Sequence, residues 1–235
     1  MDVGEENPWP VGTSKGWAHL GATVRDRVAH ELRDRILTGQ LTAGMRIDLD
    51  ELARDFGTSR TPVREACLTL MHEGLVRMAP RSGVTVLGVT ARDTLDNFAL
   101  MAVLSGVAAS WAADRISEEQ LTRVRELKDE IVRAAAGDGD IAKANWLFHR
   151  EINKASRSER LMAVIGQTGR IIPPTFFDVI PEQIPCSLSE HDELVEALSN
   201  HDAERARQVT ERHFASAGQL LSRHLLGSKE RRAGA

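Results

Sequence analysis

Two arginines four residues apart, Arg60 and Arg64 in TSRTPVREACLTLMHEGLV (58–76), have the clearest chemistry to offer. On a helix, residues i and i+4 share a face, and a guanidinium can donate two parallel hydrogen bonds to O6 and N7 of guanine. Ser59 and Thr61 beside them carry hydroxyls able to donate to a phosphate near a helix N-terminus. On an isolated helix the same pair would serve equally well as a solvated stripe, so its reading depends on the elements that hold it.

Those elements are legible. Val63, Ala66, Cys67 and Leu70 recur three and four apart, so they face a core and leave Arg60, Thr61 and Arg64 outward. Ser59 is a good N-cap residue and Pro62 suits a first turn, which predicts a helix from about Arg60 to Glu73, ended by Gly74. Upstream, Val24, Val28, Leu32 and Ile36 form one helical stripe stopped by Gly39; LTAGMRID reads as a turn, and Leu49 to Phe56 as a short helix closed by Gly57. Downstream, LVRMAPRSGVTVLGV alternates apolar and polar residues around Pro80-Arg81-Ser82-Gly83, the pattern of a two-stranded hairpin. Three helices and a hairpin make a winged helix-turn-helix, whose third helix enters the major groove by its N-terminal end.

Composition narrows the class. Apolar residues at 42% and charged residues at 27% describe a globular protein, and no run approaches the roughly 18 apolar residues of a membrane span. The start, MDVGEENPWPVGTSKG, is acidic and lacks the basic and apolar regions of a secretory signal, so residues 1–19 are expected as a disordered tail in a cytoplasmic protein with no membrane partner. Cys67 and Cys186 stand alone, which suggests neither a disulfide framework nor a cysteine zinc site. The net charge of −4 argues against indiscriminate coating of nucleic acid or an architectural chromatin role. Locally the balance shifts: residues 20–88 hold ten Arg, no Lys and nine Asp or Glu, against 19 basic and 22 acidic residues beyond 88.

Past Gly88 the strand pattern stops. Helix starts are expected after Thr90, at the capping box Ser117/Gln120, at Asp138 or Asp140, at Ser158, at a second capping box Ser187/Glu190 and at Asp202, with Pro173-Pro174 ending or kinking the fourth helix and the last helix reaching about Leu226. The expected architecture is mainly α: a tail (1–19), a winged helix-turn-helix domain (20–88), an antiparallel six-helix bundle (89–228) and a short disordered tail (229–235).

The run ELARDFGTSRTPVREACLTLMHEGLVRMAPRSGVTV resembles the winged helix-turn-helix of the GntR family of bacterial transcription regulators, matching its Ser-Arg-Thr-Pro-Val-Arg-Glu-Ala pattern almost residue for residue. The resemblance implies that Ser59, Arg60, Thr61 and Arg64 touch DNA, with Arg81 and Gly83 of the wing at the adjacent minor groove. Cys67 departs from the usual leucine, on the core side. The helical remainder resembles the FCD effector domain of the FadR subfamily, in its shorter, VanR-like form. That likeness implies a divalent transition metal, Zn or Ni before others, held by Asn145, His149, His191 and His213.

Asn145 and His149, at i and i+4, share a helix face. The spacings of 42 and 22 residues to the other histidines carry no local signal. Asn145 stands where the family carries an acidic residue; an amide oxygen brings no charge to offset a cation and so should weaken the site. Met101 and Ser105 in MAVLSG stand where relatives commonly carry an arginine and a glutamate. An effector pocket around Met101, Ser105 and Trp146 is therefore expected to take a less acidic or more apolar ligand than the family's organic acids. The expected function is a ligand-responsive, sequence-specific regulator, a homodimeric repressor released from a palindromic operator by a small-molecule effector, and not an enzyme. The alternative is a metal-dependent enzyme built on the three histidines; it lacks a general base, since Glu190 and Asp192, each one residue from His191, should point elsewhere.

Overall fold

The computed structural model of the chain describes residues 23–79, 83–170, 172 and 176–233. Segment 1–19, the wing tip with Arg81, and Pro173-Pro174 lie outside the described residues. Apart from residue 172, the described residues fall into two compact units, one up to Thr90 and one from Ala91 onward.

The first unit runs α1 (Val24–Leu37), β1 (Arg46–Ile47), α2 (Leu49–Asp55), α3 (Arg60–His72), β2 (Val76–Ala79) and β3 (Gly83–Val86). Its helix ends follow from side chains: Thr23 and Asp26 close a capping box on α1, and Asp48 accepts from the Asp50 and Glu51 N–H groups at the start of α2. The turn from α2 to α3 depends on Gly57 at φ 60°, where the Thr58 N–H returns to the Ala53 carbonyl at 2.8 Å. Apolar residues from every element meet in one core, among them Val28, Leu32, Ile47, Val63, Leu70, Val76, Val84 and Val86. Cys67 is fully buried there, and burial pushes its thiol up to about 11, so it packs as a small hydrophobe.

The hairpin is a three-stranded antiparallel sheet in the order β1-β3-β2, because Arg46 and Ile47 pair with Thr85 and Val84. LTAGMRID is thus more than a turn: two of its residues add a strand, too short to show alternation in the sequence. Arg33 on α1 and Glu73 at the end of α3 form a nearly buried two-pronged ion pair at 2.8 and 2.7 Å.

The second unit is helical: α4 (Ala91–Arg115), α5 (Glu118–Ala135), α6 (Ile141–Ala155), α7 (Glu159–Gly169), the single turn α8 (Phe176–Val179), α9 (Gln183–Ser199) and α10 (Ala203–Ala233). The Ser117/Gln120 capping box opens α5, Asp140 rather than Asp138 caps α6, and Ser158 caps α7. α7 stops at Gly169, before the proline pair.

Three expectations need correction. FFDVIPEQIPC is not all loop, since it supplies α8 and the start of α9. Nor do Ser187 and Glu190 cap α9, which begins four residues earlier, at Gln183; Pro185 sits in its first turn, where a missing N–H costs nothing. Ser187 is instead buried inside the helix, accepting from Gln183 Nε2 at 3.1 Å. Finally, α10 continues past Leu226 to Ala233, taking in most of the residues expected as a tail.

α4 is long and apolar enough by composition to cross a membrane, but half of its most apolar window is buried within this unit, where it packs along α10 and against α6 and α7. Glycines set its closeness to α10: a Cβ at Gly218 would stand 2.5 Å from Phe98 Cβ.

Candidate functional site

The first unit carries the candidate DNA-reading face. Val63, Ala66, Cys67 and Leu70 are wholly buried, which leaves Ser59, Arg60, Thr61 and Arg64 exposed at the N-terminal end of α3. Ser59 has the extended backbone of an N-cap, yet its side chain makes no capping bond. Its hydroxyl and the first N–H groups of α3 therefore remain available to an anion. Arg60 Nε lies 3.1 Å from Asp50 Oδ1 on α2, both side chains being well exposed. Gly83 opens β3 at φ 81° and is exposed, opposite Ala79 in the ladder.

The second unit brings together His149 of α6, His191 of α9 and His213 of α10, with one ring nitrogen of each within 4.8 Å of the others. Ring centroids stand 5.1 Å apart for His149 and His191, and 4.9 Å for His213 to either. Phe148 packs 4.5 Å from His191 and Phe214 5.1 Å from His149, so aromatic contacts fix the rings' tilt. Burial, with His213 next in effect, holds His149 well below the usual imidazole range; burial, His213, His149 and Lys128 do the same to His191. Neutral imidazoles with a free lone pair are what a metal requires.

Among the described residues, His149 Nε2, both nitrogens of His191 and Asn145 Oδ1 are buried without a hydrogen-bond partner. Orphaned buried polar atoms are costly, and one nitrogen each from His149, His191 and His213 is close enough to the others to meet one cation. Glu190 has a role that sequence reasoning missed. It does point away from His191, but toward His213, whose Nδ1 it binds at 2.9 Å. This bond leaves His213 Nε2 to face the cluster, the arrangement by which a carboxylate orients a metal-binding histidine. Its other oxygen lies 3.5 Å from Arg212. An acidic residue beside a histidine was the signal, and only the partner helix was invisible. Asp192 turns away to Lys128 at 2.8 Å.

Of the expected effector residues, Met101 and Ser105 lie one turn apart on α4 and are almost wholly buried, the Ser105 hydroxyl without a partner among the described residues. Trp146 is half-buried, with the Arg150 guanidinium 5.3 Å over its ring.

Comparison with known proteins decides the family. The description "Bacterial regulatory proteins, gntR family" matches residues 24–86, and the FCD domain matches residues 96–216. The chain belongs to the gntR family, with an FCD domain. Relatives include the HTH-type transcriptional regulator YdhC of Bacillus subtilis, 26% identical over 86% of this chain and 92% of its own length. McbR of Escherichia coli is 29% identical over 83% of this chain and 90% of its own. A third, the probable D-xylose utilization operon transcriptional repressor of Paenarthrobacter nicotinovorans, is 29% identical over 82% and 88%. The solved E. coli McbR/YncC shares the fold at a TM-score of 0.64 over 84% of this chain and 98% of its own, with 24% identity. This gntR-family chain is thus a DNA-binding transcription regulator with an FCD effector domain.

Proposed function

We propose that the chain is a cytoplasmic repressor whose grip on a palindromic operator is released by a small-molecule effector bound near a metal in the helical unit. Ser59, Arg60, Thr61 and Arg64, with Arg81 and Gly83 of the wing, are the DNA-contacting residues. One recognition helix spans only a few base pairs, so a homodimer is needed to read a two-fold site. The repressor named for D-xylose utilization supports the direction of control.

The observation that carries the sensing half is the gathering of His149, His191 and His213, with unpartnered buried nitrogens on the first two and the third oriented by Glu190; Asn145 Oδ1, one turn before His149, is buried and unpartnered too among the described residues. Together these four side chains would hold a divalent transition metal, Zn or Ni, with an affinity lowered by the neutral Asn145. When bound, the metal supplies a Lewis-acidic position for an effector's donor atom. Met101, Ser105 and Trp146 line the effector pocket in this reading, and with no cationic side chain at Met101 or Ser105 the effector is less acidic than a typical organic acid. An effector releases DNA only by binding the two functional states of the dimer unequally.

Catalysis is the weaker reading. Of the two carboxylates flanking His191, Glu190 is committed to His213 and Asp192 to Lys128, so neither is free to act as a general base. The test is elemental analysis of the untagged full chain beside His191→Ala, with binding to a selected operator measured for both. The expected result is about one metal per chain, lost in the variant, with operator binding retained by the metal-free protein. Equal metal content in both would refute the site.

A further inference from the structure

The one ion pair at the DNA-reading face among the described residues joins Asp50 and Arg60, with the Arg60 Nε 3.1 Å from Asp50 Oδ1 and both side chains more than 60% exposed. No hydrogen bond or ion pair holds Arg64 among the described residues. If α3 contacts bases, a carboxylate here has a cost, since it would repel the phosphates that Arg60 and Arg64 attract. Stabilising the start of α2 does not account for it, because Asp48 already caps that helix by accepting from the Asp50 and Glu51 N–H groups, and Glu51 adds a second negative charge to the first turn.

The geometry suggests another use. A guanidinium that reads guanine end-on does so through its two terminal amino groups, which leaves Nε unused. Nε is the Arg60 nitrogen nearest Asp50, in an ion pair rather than a hydrogen bond. The carboxylate therefore restrains the long Arg60 side chain by charge, with its closest approach at the nitrogen that an end-on base contact does not need. Ordering the side chain before binding lowers the entropy lost on contact.

We propose that Asp50 is a positioning residue that sets sequence specificity: it aims the Arg60 guanidinium at a base and, by repelling phosphate, weakens binding to every other sequence. The proposal rests on the reading that α3 contacts bases. An exposed ion pair contributes little to folding stability, so the effect belongs to recognition, where DNA excludes water from the pair.

The test uses the full chain as wild type, Asp50→Asn, Arg60→Ala and the double variant, with a duplex selected from a random pool and a scrambled duplex of the same composition, titrated at three salt concentrations. For Asp50→Asn the expected result is tighter binding to the scrambled duplex and a fall of at least about fivefold in the ratio of selected to scrambled affinity, part of the discrimination one bidentate contact provides. The loss should be confined to one base position per half-site, and absent when Asp50→Asn is made on top of Arg60→Ala. Equal tightening on both duplexes would overturn the proposal, because Asp50 would then be a surface charge only. A rise in the ratio would overturn it too, by showing that Asp50 holds Arg60 off the base. If Arg60→Ala alone leaves selected-duplex affinity unchanged, the underlying reading of Arg60 fails and the proposal with it. Unchanged thermal unfolding of Asp50→Asn separates these outcomes from misfolding.

Discussion

At the scale of single residues, the two sites use side chains in opposite states of readiness. Arg64 is exposed and unengaged among the described residues, which in the proposed function leaves it free for DNA. Arg64→Ala should cost about 1–3 kcal/mol of operator affinity and relax preference at one base position; competition binding against a panel of single-base operator variants measures both. Glu190 is the reverse case, buried and already bound to His213. Removing its charge should loosen the orientation of that ring. Glu190→Gln should lower metal affinity by roughly 10- to 100-fold while leaving the metal-free fold intact; chelator competition followed by a cobalt absorption spectrum reads the affinity and the ligand geometry. An unchanged affinity would make Glu190 a purely structural partner.

Between elements, the α4 and α10 contact is set by small residues. Gly218 brings its helix so near that a Cβ would lie 2.5 Å from Phe98 Cβ and 2.9 Å from Cγ, atoms that cannot retreat without moving the α4 backbone. Gly218→Ala should therefore destabilise the helical unit by about 1–3 kcal/mol, despite the better helix propensity of alanine; urea unfolding followed by circular dichroism tests the sign. A stabilised variant would show that the helices part easily. Helix ends were readable one by one, as at Ser117, Asp140 and Ser158, because capping is a local side-chain reaction. Ser187 misled because serine and glutamate three apart mimic a capping box, while the real start at Gln183 carries no capping side chain.

For the whole molecule, two separate apolar clusters, one built on Val28 to Val86 and one on Ala109 to Val209, give each unit its own cooperative core. Two calorimetric transitions are expected. A metal that binds only the folded helical unit should raise one of them, by an amount growing with metal concentration, and leave the other in place. His191→Ala should abolish the shift. Movement of both transitions together would show that the units unfold as one.

Short-range patterns alone carry the winged domain, the outward face of Arg60 and Arg64, and most helix starts. Helical and strand periodicity and capping act within a few residues, and the family pattern lay in one contiguous run. The company these residues keep is set by how the helices pack. The spacings from His149 to His191 to His213 carry no signal in a linear chain, and packing of α6, α9 and α10 is what puts their nitrogens within 4.8 Å. Glu190 met His213, and Asp50 met Arg60, across helix pairs whose relative placement no local pattern encodes. Side-chain partnership between elements depends on how whole helices pack, and that is settled by the sum of many contacts in the core.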